Sequence, residues 1–253
     1  MEKNKFAVII LAAGKGKRMN NPDLPKVLAE INGKPLISFV LNQVEKLNPQ
    51  KKVLVVGHQK ELVINYIKDS EFGGVDFTSQ DEQLGTGHAV MQTYNLLKDF
   101  DGDVLILAGD VPLLKHESLK KFINIHNEVK SEISVLTTFA PNPSGYGRIV
   151  RDTDQNFMKI VEHKDADEQI LNINEINSGI YMIKASLLYS SLEMITNNNA
   201  QKEYYLTDII EILKNLGKSV YGINAAPFDE LQGINTVDEL NRAAEYYNFI
   251  NKN

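Results

Sequence analysis

Three stretches of the chain carry side chains at spacings suited to phosphate chemistry. The first is Leu11-Ala12-Ala13-Gly14-Lys15-Gly16-Lys17-Arg18-Met19, which closes the apolar run that begins at Phe6. Glycines let a backbone approach a ligand, free N–H groups can aim at oxygens, and Lys15, Lys17 and Arg18 add charge. Neither common phosphate cradle is present: Met19 stands where a dinucleotide fingerprint needs its third glycine, and Gly-x-x-x-x-Gly-Lys-Ser/Thr occurs nowhere. Taken alone, the loop is either a phosphate cradle or an ordinary glycine turn. Pro25-Lys26-Val27-Leu28 then sets another cation beside a rigid residue, so Lys26 either faces the same anion or is merely solvated. In the third stretch, Asp110 ends the run Val104-Leu105-Ile106-Leu107-Ala108-Gly109. A carboxylate there either caps the turn into Val111-Pro112, or is one of the one or two protein oxygens that Mg²⁺ on nucleotide phosphates takes.

The segment Gln80-Asp81-Glu82-Gln83-Leu84-Gly85-Thr86-Gly87-His88-Ala89 is either a plain turn into a helix or a base-binding element. Gln80 offers the paired donor and acceptor that reads a pyrimidine edge, and a Gly-Thr-Gly backbone accepts a flat base against it. Other chemistries are excluded by composition. The absence of cysteine removes disulfides, thiolate metal sites, iron–sulfur clusters and cysteine nucleophiles together. The five histidines, His58, His88, His116, His126 and His163, fall in no metal-ligand spacing. Net charge is −6, which argues against a general nucleic-acid binder. Residues 1–35 nevertheless carry seven bases (Lys3, Lys5, Lys15, Lys17, Arg18, Lys26, Lys34) against three acids (Glu2, Asp23, Glu30). That stretch is +4 and the remainder −10, which makes either a solubilising patch or a basin for a small polyanion.

The elements that must position these residues alternate. Strands are expected at 6–11, 52–57, 75–78, 103–108, 132–139, 157–162, 177–183 and 219–224, and helices at 35–47, 59–68, 86–98, 116–129, 205–216 and 236–250. Pro35 suits a first helical turn, and Thr236 with Glu239 makes a capping box. This pattern predicts an α/β, Rossmann-like, mostly parallel sheet flanked by helices, with a strand-rich insertion over 141–183. In such sheets ligands gather at the C-terminal ends of the strands. The longest apolar run, Phe6 to Ala13, is far shorter than the ~20 residues of a membrane span. It is read as a buried first strand rather than a secretion signal, and the chain is expected to be soluble and cytoplasmic, with no membrane partner. The stripe Leu240, Ala243, Ala244, Tyr247 and Ile250 on the last helix either packs on its own domain or makes a homo-oligomer contact.

The ordered set LAAGKGKRM, PKVL, QDEQLGTGHA, LAGDVPLL, GYGRIVR, IVEHKDA, EINSGIYMI, NNNAQKEYYLTDII and GIN (233–235) resembles the uridylyltransferase domain of the bacterial N-acetylglucosamine-1-phosphate uridylyltransferases. The resemblance runs from residue 6 to about 250 and implies the nucleotide-diphospho-sugar transferase fold. It implies a nucleotidyltransferase domain over 1–235, with a nucleotide-binding half to about 112 and a sugar-binding half over 113–235, followed by a C-terminal helix over 236–253. Ala12, Ala13, Gly14, Gln80, Gly85 and Thr86 match the uridine-binding set, with Leu11 and Gly109 on the same substrate site. Arg18 and Lys26 match the triphosphate contacts, and Asp110 and Asn235 the Mg²⁺ ligands. Gly147, Glu162 and Asn177 match the amino-sugar positions, and Tyr205 and Thr207 a sugar-side loop. Lys17 stands where the family usually has threonine and Lys202 where it often has glycine. The resemblance does not extend to a hexapeptide-repeat acetyltransferase region, so that second activity is expected to lie outside this chain.

The reaction so implied joins UTP and a sugar-1-phosphate. A phosphate oxygen of the sugar-1-phosphate attacks the α-phosphorus in line, and pyrophosphate leaves. The nucleophile has a second pKa of about 6 and is already ionised near neutrality, so no general base is required. The chain accordingly carries no G-x-S-x-G, the feature a hydrolase reading needs. Two other readings are open: a uridylyltransferase for another hexose-1-phosphate such as glucose-1-phosphate, and a non-catalytic nucleotide-sugar sensor.

Overall fold

A computed structural model describes residues 5–16, 19 and 24–250. Strands β1 (Phe6–Ala12), β4 (Lys51–Val56), β5 (Val75–Ser79), β6 (Asp103–Ala108), β7 (Ile133–Phe139), β10 (Glu175–Lys184) and β11 (Val220–Asn224) form the spine of one sheet, in the order β11-β7-β10-β6-β1-β4-β5. The hairpin β8 (Arg148–Arg151) and β9 (Phe157–Val161) joins it through β10, and β2 (Glu30–Ile31) pairs with β3 (Lys34–Pro35) apart from it. The neighbours β1/β4, β1/β6, β4/β5 and β7/β11 run parallel, and β10 runs antiparallel between β6 and β7.

Strand β1 is apolar throughout because it is covered on both faces, as central parallel strands are. Val8 and Ile10 meet α1 (Leu36–Leu47), α2 (Lys60–Lys68) and α5 (His116–Glu128) on one side. Ala7 and Ile9 meet α3 (Thr86–Met91), α7 (Ala185–Leu192) and α8 (Asp208–Asn215) on the other. Short helices α4 (Tyr94–Leu97) and α6 (Glu168–Leu171) complete the connections, and α9 (Val237–Ile250) closes a smaller cluster over Ile31, Leu36, Phe39 and Ile234. The stripe on α9 therefore packs on its own chain through Ala243, Leu240, Ala244 and Tyr247.

The chain departs from the expected elements at several points. The helix expected over 86–98 breaks after Met91. Thr93 turns its hydroxyl back onto the Val90 carbonyl (2.7 Å) and against the Tyr189 hydroxyl (2.8 Å), which competes with the helical ladder. The helix expected from 205 starts at Asp208; ahead of it the Leu206 N–H donates to Thr86 Oγ1 (3.2 Å). Pro35 ends β3 one residue before α1. The serine-rich α7, the strand β8, the short β2/β3 pair and α6 were not anticipated, since their runs are too short or too polar to show a period. The Thr236–Glu239 box does form: Glu239 N–H donates to Thr236 Oγ1 (3.2 Å), and Thr236 N–H to Glu239 Oε2 (3.0 Å).

Strand order decides where the cleft lies. After β1 the chain winds outward through β4 and β5, then returns to lay β6 on the opposite side of β1. The loops leaving β1 and β6 diverge at that switch point and leave a crevice at the strand C-termini. Leu11 pairs with Val55 on one side and Ala108 on the other, so three strands end level with one another.

Candidate active site

The loop after β1 and the loop after β6 are tied at their base by the Gly109 N–H to Leu11 carbonyl bond (2.9 Å). Gly109 has little room for a side chain: a Cβ there would lie 3.0 Å from Ile37 Cδ1 and 3.1 Å from the Leu11 oxygen. Its role is to let the strand end pack closely. One residue on, Asp110 turns its carboxylate into the crevice and forms an ion pair with Lys26, whose ammonium also donates to Asn235 Oδ1 at 3.0 Å. Lys26 comes from the turn that follows the glycine loop, and Gly16 (φ +59°) packs directly over it: a Cβ at residue 16 would stand 2.8 Å from Lys26 Cβ. Asn235 is brought in by the Ile234 N–H to Asp110 carbonyl bond (2.9 Å) and by its own N–H on Glu239 Oε2 (2.6 Å). Residues 26, 110 and 235 thus meet at one point although the chain separates them widely.

From this point a cleft of about 360 Å³ extends along the ends of β1 and β6 to the segment that follows β5. Leu11, Ala12, Ala13 and Gly14 form one wall, and Gln80, Gly85 and Thr86 the other. Gln80 N–H is fixed to the end of β4 through the Val56 carbonyl (2.8 Å), and its side-chain nitrogen donates to the Gly85 carbonyl (2.9 Å). Gly85 has φ +108°, and a Cβ there would come within 2.6 Å of the Tyr204 carbonyl oxygen, so only glycine fits. Arg18 and Lys17 lie outside the described residues.

Gly147, Glu162 and Thr207 meet in a second group, beyond the lining of this cleft. Thr207 Oγ1 donates to Glu162 Oε1 (3.1 Å), and the space left by the missing side chain of Gly147 lies 3.5 Å from the Glu162 carboxylate. Burial raises the Glu162 carboxyl above the usual carboxylate range, against the opposing pull of the Thr207 bond; Asp208, Asp165 and Glu203 push it further up. Asn177 joins through its N–H on the Gly147 carbonyl (2.9 Å). Its side chain is held at both ends, by Gly179 N–H on Oδ1 (2.9 Å) and by its own Nδ2 on the Tyr181 hydroxyl (2.8 Å), across a bulge with Gly179 at φ +79°. Tyr205 is buried, and its hydroxyl donates to Asp165 Oδ2 (3.1 Å). The two groups are laced together by Tyr204 N–H on Leu84 carbonyl (2.7 Å) and Gly87 N–H on Tyr204 carbonyl (2.8 Å).

A family model described as Nucleotidyl transferase matches residues 7–227. The chain belongs to that family. Over 235 residues this nucleotidyl transferase is 43% identical to the bifunctional protein GlmU of Clostridium botulinum (strain 657 / Type Ba4), covering 93% of this chain and 50% of that protein. Over 227 residues it is 45% identical to the bifunctional protein GlmU of Streptococcus mutans serotype c, covering 90% and 48%. The chain therefore spans about half the length of these curated relatives. Among solved structures, UDP-glucose pyrophosphorylase complexed with UDP-glucose superposes with a TM-score of 0.78 at 18% identity, over 96% of this chain and 98% of that one. HddC from Yersinia pseudotuberculosis complexed with GMP-PN gives 0.67 at 21%, over 95% and 99%. Both share the fold. Among the described residues no helix is long and apolar enough to cross a membrane.

Sequence reasoning missed two residues of the nucleotidyl transferase cleft. Gln83 donates from Nε2 to the Ala13 carbonyl (2.9 Å) and so ties the two walls together; Glu203 lines the same cleft. Gln83 sits three residues after Gln80, a repeat of amide side chains that was visible in the sequence. Glu203 arrives from a distant loop and left no local signal. Lys202 has φ +56°, a left-handed backbone, which gives a physical reason for the glycine that the resembling family often carries there.

Proposed function

We propose that the chain transfers UMP from UTP to N-acetylglucosamine-1-phosphate, forming UDP-N-acetylglucosamine and pyrophosphate. A non-bridging phosphate oxygen of the sugar-1-phosphate forms a bond to the α-phosphorus, and the α–β phosphoanhydride bond breaks. Catalysis of this kind is positioning plus charge neutralisation. The observation that carries the reading is the meeting of Lys26, Asp110 and Asn235 beside the glycine loop, at the switch point of the sheet. In this reading the backbone of Leu11 to Gly14, with Gln80, Gly85 and Thr86, holds the uridine, and Lys26 and Arg18 act on the triphosphate. Gly147, Glu162, Asn177, Tyr205 and Thr207 hold the sugar. The nucleotide half then ends near residue 112 and the sugar half near 235, with the C-terminal helix beyond.

The donor set suits a hard divalent cation. Asp110 and Asn235 already turn oxygens onto one positive group, the Lys26 ammonium, and a cation carried on nucleotide phosphates needs only one or two protein oxygens. Bound there by Asp110 and Asn235, Mg²⁺ would supply neutralisation of the charge that develops on the phosphates. Lys26 then has a second anion to serve, the triphosphate itself. A panel of sugar-1-phosphates with UTP and Mg²⁺, read as pyrophosphate release, tests the proposal. N-acetylglucosamine-1-phosphate is expected to lead the panel. Preference for glucose-1-phosphate overturns the sugar assignment, and tight binding of UDP-N-acetylglucosamine without turnover overturns the catalytic one.

A further inference from the structure

The side-chain amide of Gln80 is held from two directions, and the second holder is a residue to which nothing above gives a role. Gln80 is 4% exposed. Its Nε2 lies 2.9 Å from the Gly85 carbonyl oxygen and 3.1 Å from His88 Nδ1, one turn into α3. A carbonyl can only accept, so the Gly85 bond fixes which end of the amide is nitrogen. With both N–H groups of that nitrogen engaged inside the protein, Gln80 has only its oxygen left to offer a ligand. An acceptor there suits the N3–H of uracil and not N3 of cytosine, which is itself an acceptor.

The arrangement works only if His88 Nδ1 is an unprotonated acceptor. Gln92 complicates this: its Nε2 lies 3.1 Å from His88 Nε2 and 3.0 Å from the His88 carbonyl oxygen. A neutral imidazole carries one proton and cannot accept at both nitrogens. Both amides also donate to a carbonyl, but the Gln80 contact is the more buried, whereas Gln92 lies on a half-buried face at the α3 break, where turning its oxygen to a ring N–H gives up a bond to the His88 carbonyl that solvent can replace. The proton therefore belongs on Nε2.

We propose that His88 is a positioning residue that holds the Gln80 amide with its oxygen presented to the base and so sets the preference for uridine over cytidine nucleotides. The inference rests on the uridine-binding reading of Gln80. A site built around a fixed acceptor rejects the wrong base because a buried polar group is left unpaired; without His88 the amide keeps one brace, at Gly85, but its second N–H is released as a donor that cytosine N3 can accept, and the penalty shrinks.

The test compares kcat/KM for UTP and CTP, with N-acetylglucosamine-1-phosphate and Mg²⁺, in the parent, His88→Leu, His88→Asn and Gln80→Leu. Asparagine carries an oxygen as many bonds from Cβ as Nδ1 is. His88→Leu is expected to lower the UTP:CTP ratio about tenfold, mainly through KM, and His88→Asn to restore most of it. An unchanged ratio in His88→Leu overturns the proposal, as does a ratio that falls equally in the leucine and asparagine variants. Gln80→Leu separates the two layers: if it keeps the parental ratio, the base is read elsewhere and the uridine assignment itself fails. Nitrogen-15 spectra of the unmodified protein give a readout that does not depend on any variant folding. The Nε2–H tautomer of His88 is expected, and the Nδ1–H tautomer refutes the arrangement.

Discussion

Replacing Asp110 by asparagine keeps the volume and one oxygen of the side chain and removes a single negative charge from the mouth of the cleft. In the parent, that charge faces the Lys26 ammonium, and the two side chains are 14% and 16% exposed, so solvent screens them less than a surface pair. Two unit charges about 4 Å apart at an effective dielectric of about 20 interact by about 4 kcal/mol. Each 1.36 kcal/mol of lost transition-state stabilisation is tenfold in rate, which sets an upper range of about 10³. Loss of one preorganised electrostatic group is typically 10²–10³, in the same range. Asp110→Asn is therefore expected to lower kcat for pyrophosphate release by about 10²–10³. The fold should hold: the desolvation cost of the two partly buried groups offsets much of that attraction, so losing the pair costs about 1–2 kcal/mol, and at this chain length that moves Tm by about 2–8 °C. Raising Mg²⁺ should recover only part of the rate, because Asn235 and the substituted amide supply oxygen but no charge. Turnover within about threefold of the parent, in a variant with an intact melting transition, would refute the claim that this carboxylate helps hold the cation that would neutralise phosphate charge.

Other consequences are open to direct measurement. Burial, with Glu211 and Asp165 nearby, pushes the Asp208 carboxyl up to about 6 from an ordinary 3.8. A carboxyl raised on folding favours the fold while protonated, and that contribution is lost as pH rises through about 6. Asp208→Asn should accordingly raise Tm by a few degrees at pH 8, with the gain fading between pH 6 and 4; an equal gain at pH 4 contradicts this. Because burial holds the Glu162 carboxyl above its usual range, KM for the sugar-1-phosphate should climb on acidification earlier than for an ordinary carboxylate. Dividing the parental profile by that of Glu162→Gln cancels the titration of the substrate's own phosphate, and a flat quotient removes Glu162 from the sugar contact. Gly85→Ala should cost about 3 kcal/mol or more, since it meets both a strained φ of +108° and the Tyr204 carbonyl. Gly145→Ala, at φ +84° with nothing within 4 Å, should cost only about 1–2 kcal/mol, and calorimetry of the two variants tests the difference.

The amino-acid order by itself determined much of the framework. Continuous apolar runs marked β1, β4 and β6 because strands covered on both faces cannot alternate polar and apolar residues. The glycine loop and Asp110 could be placed at strand ends for the same reason, and Thr236–Glu239 was legible because a cap is a contact over three residues. Only the tertiary structure could bring Asn235 and Lys26 together, since that contact spans 209 positions and follows from the strand order around β1. Only it could show that Gly109 serves packing, that Gln83 bridges the cleft walls, and that Tyr205 gives its hydroxyl to Asp165. The second grip on Gln80 was equally hidden. His88 is a commonplace residue in a helical stretch until the fold sets its Nδ1 against a buried amide, because local sequence encodes backbone preference, whereas hydrogen-bond partnership depends on where distant backbone comes to rest.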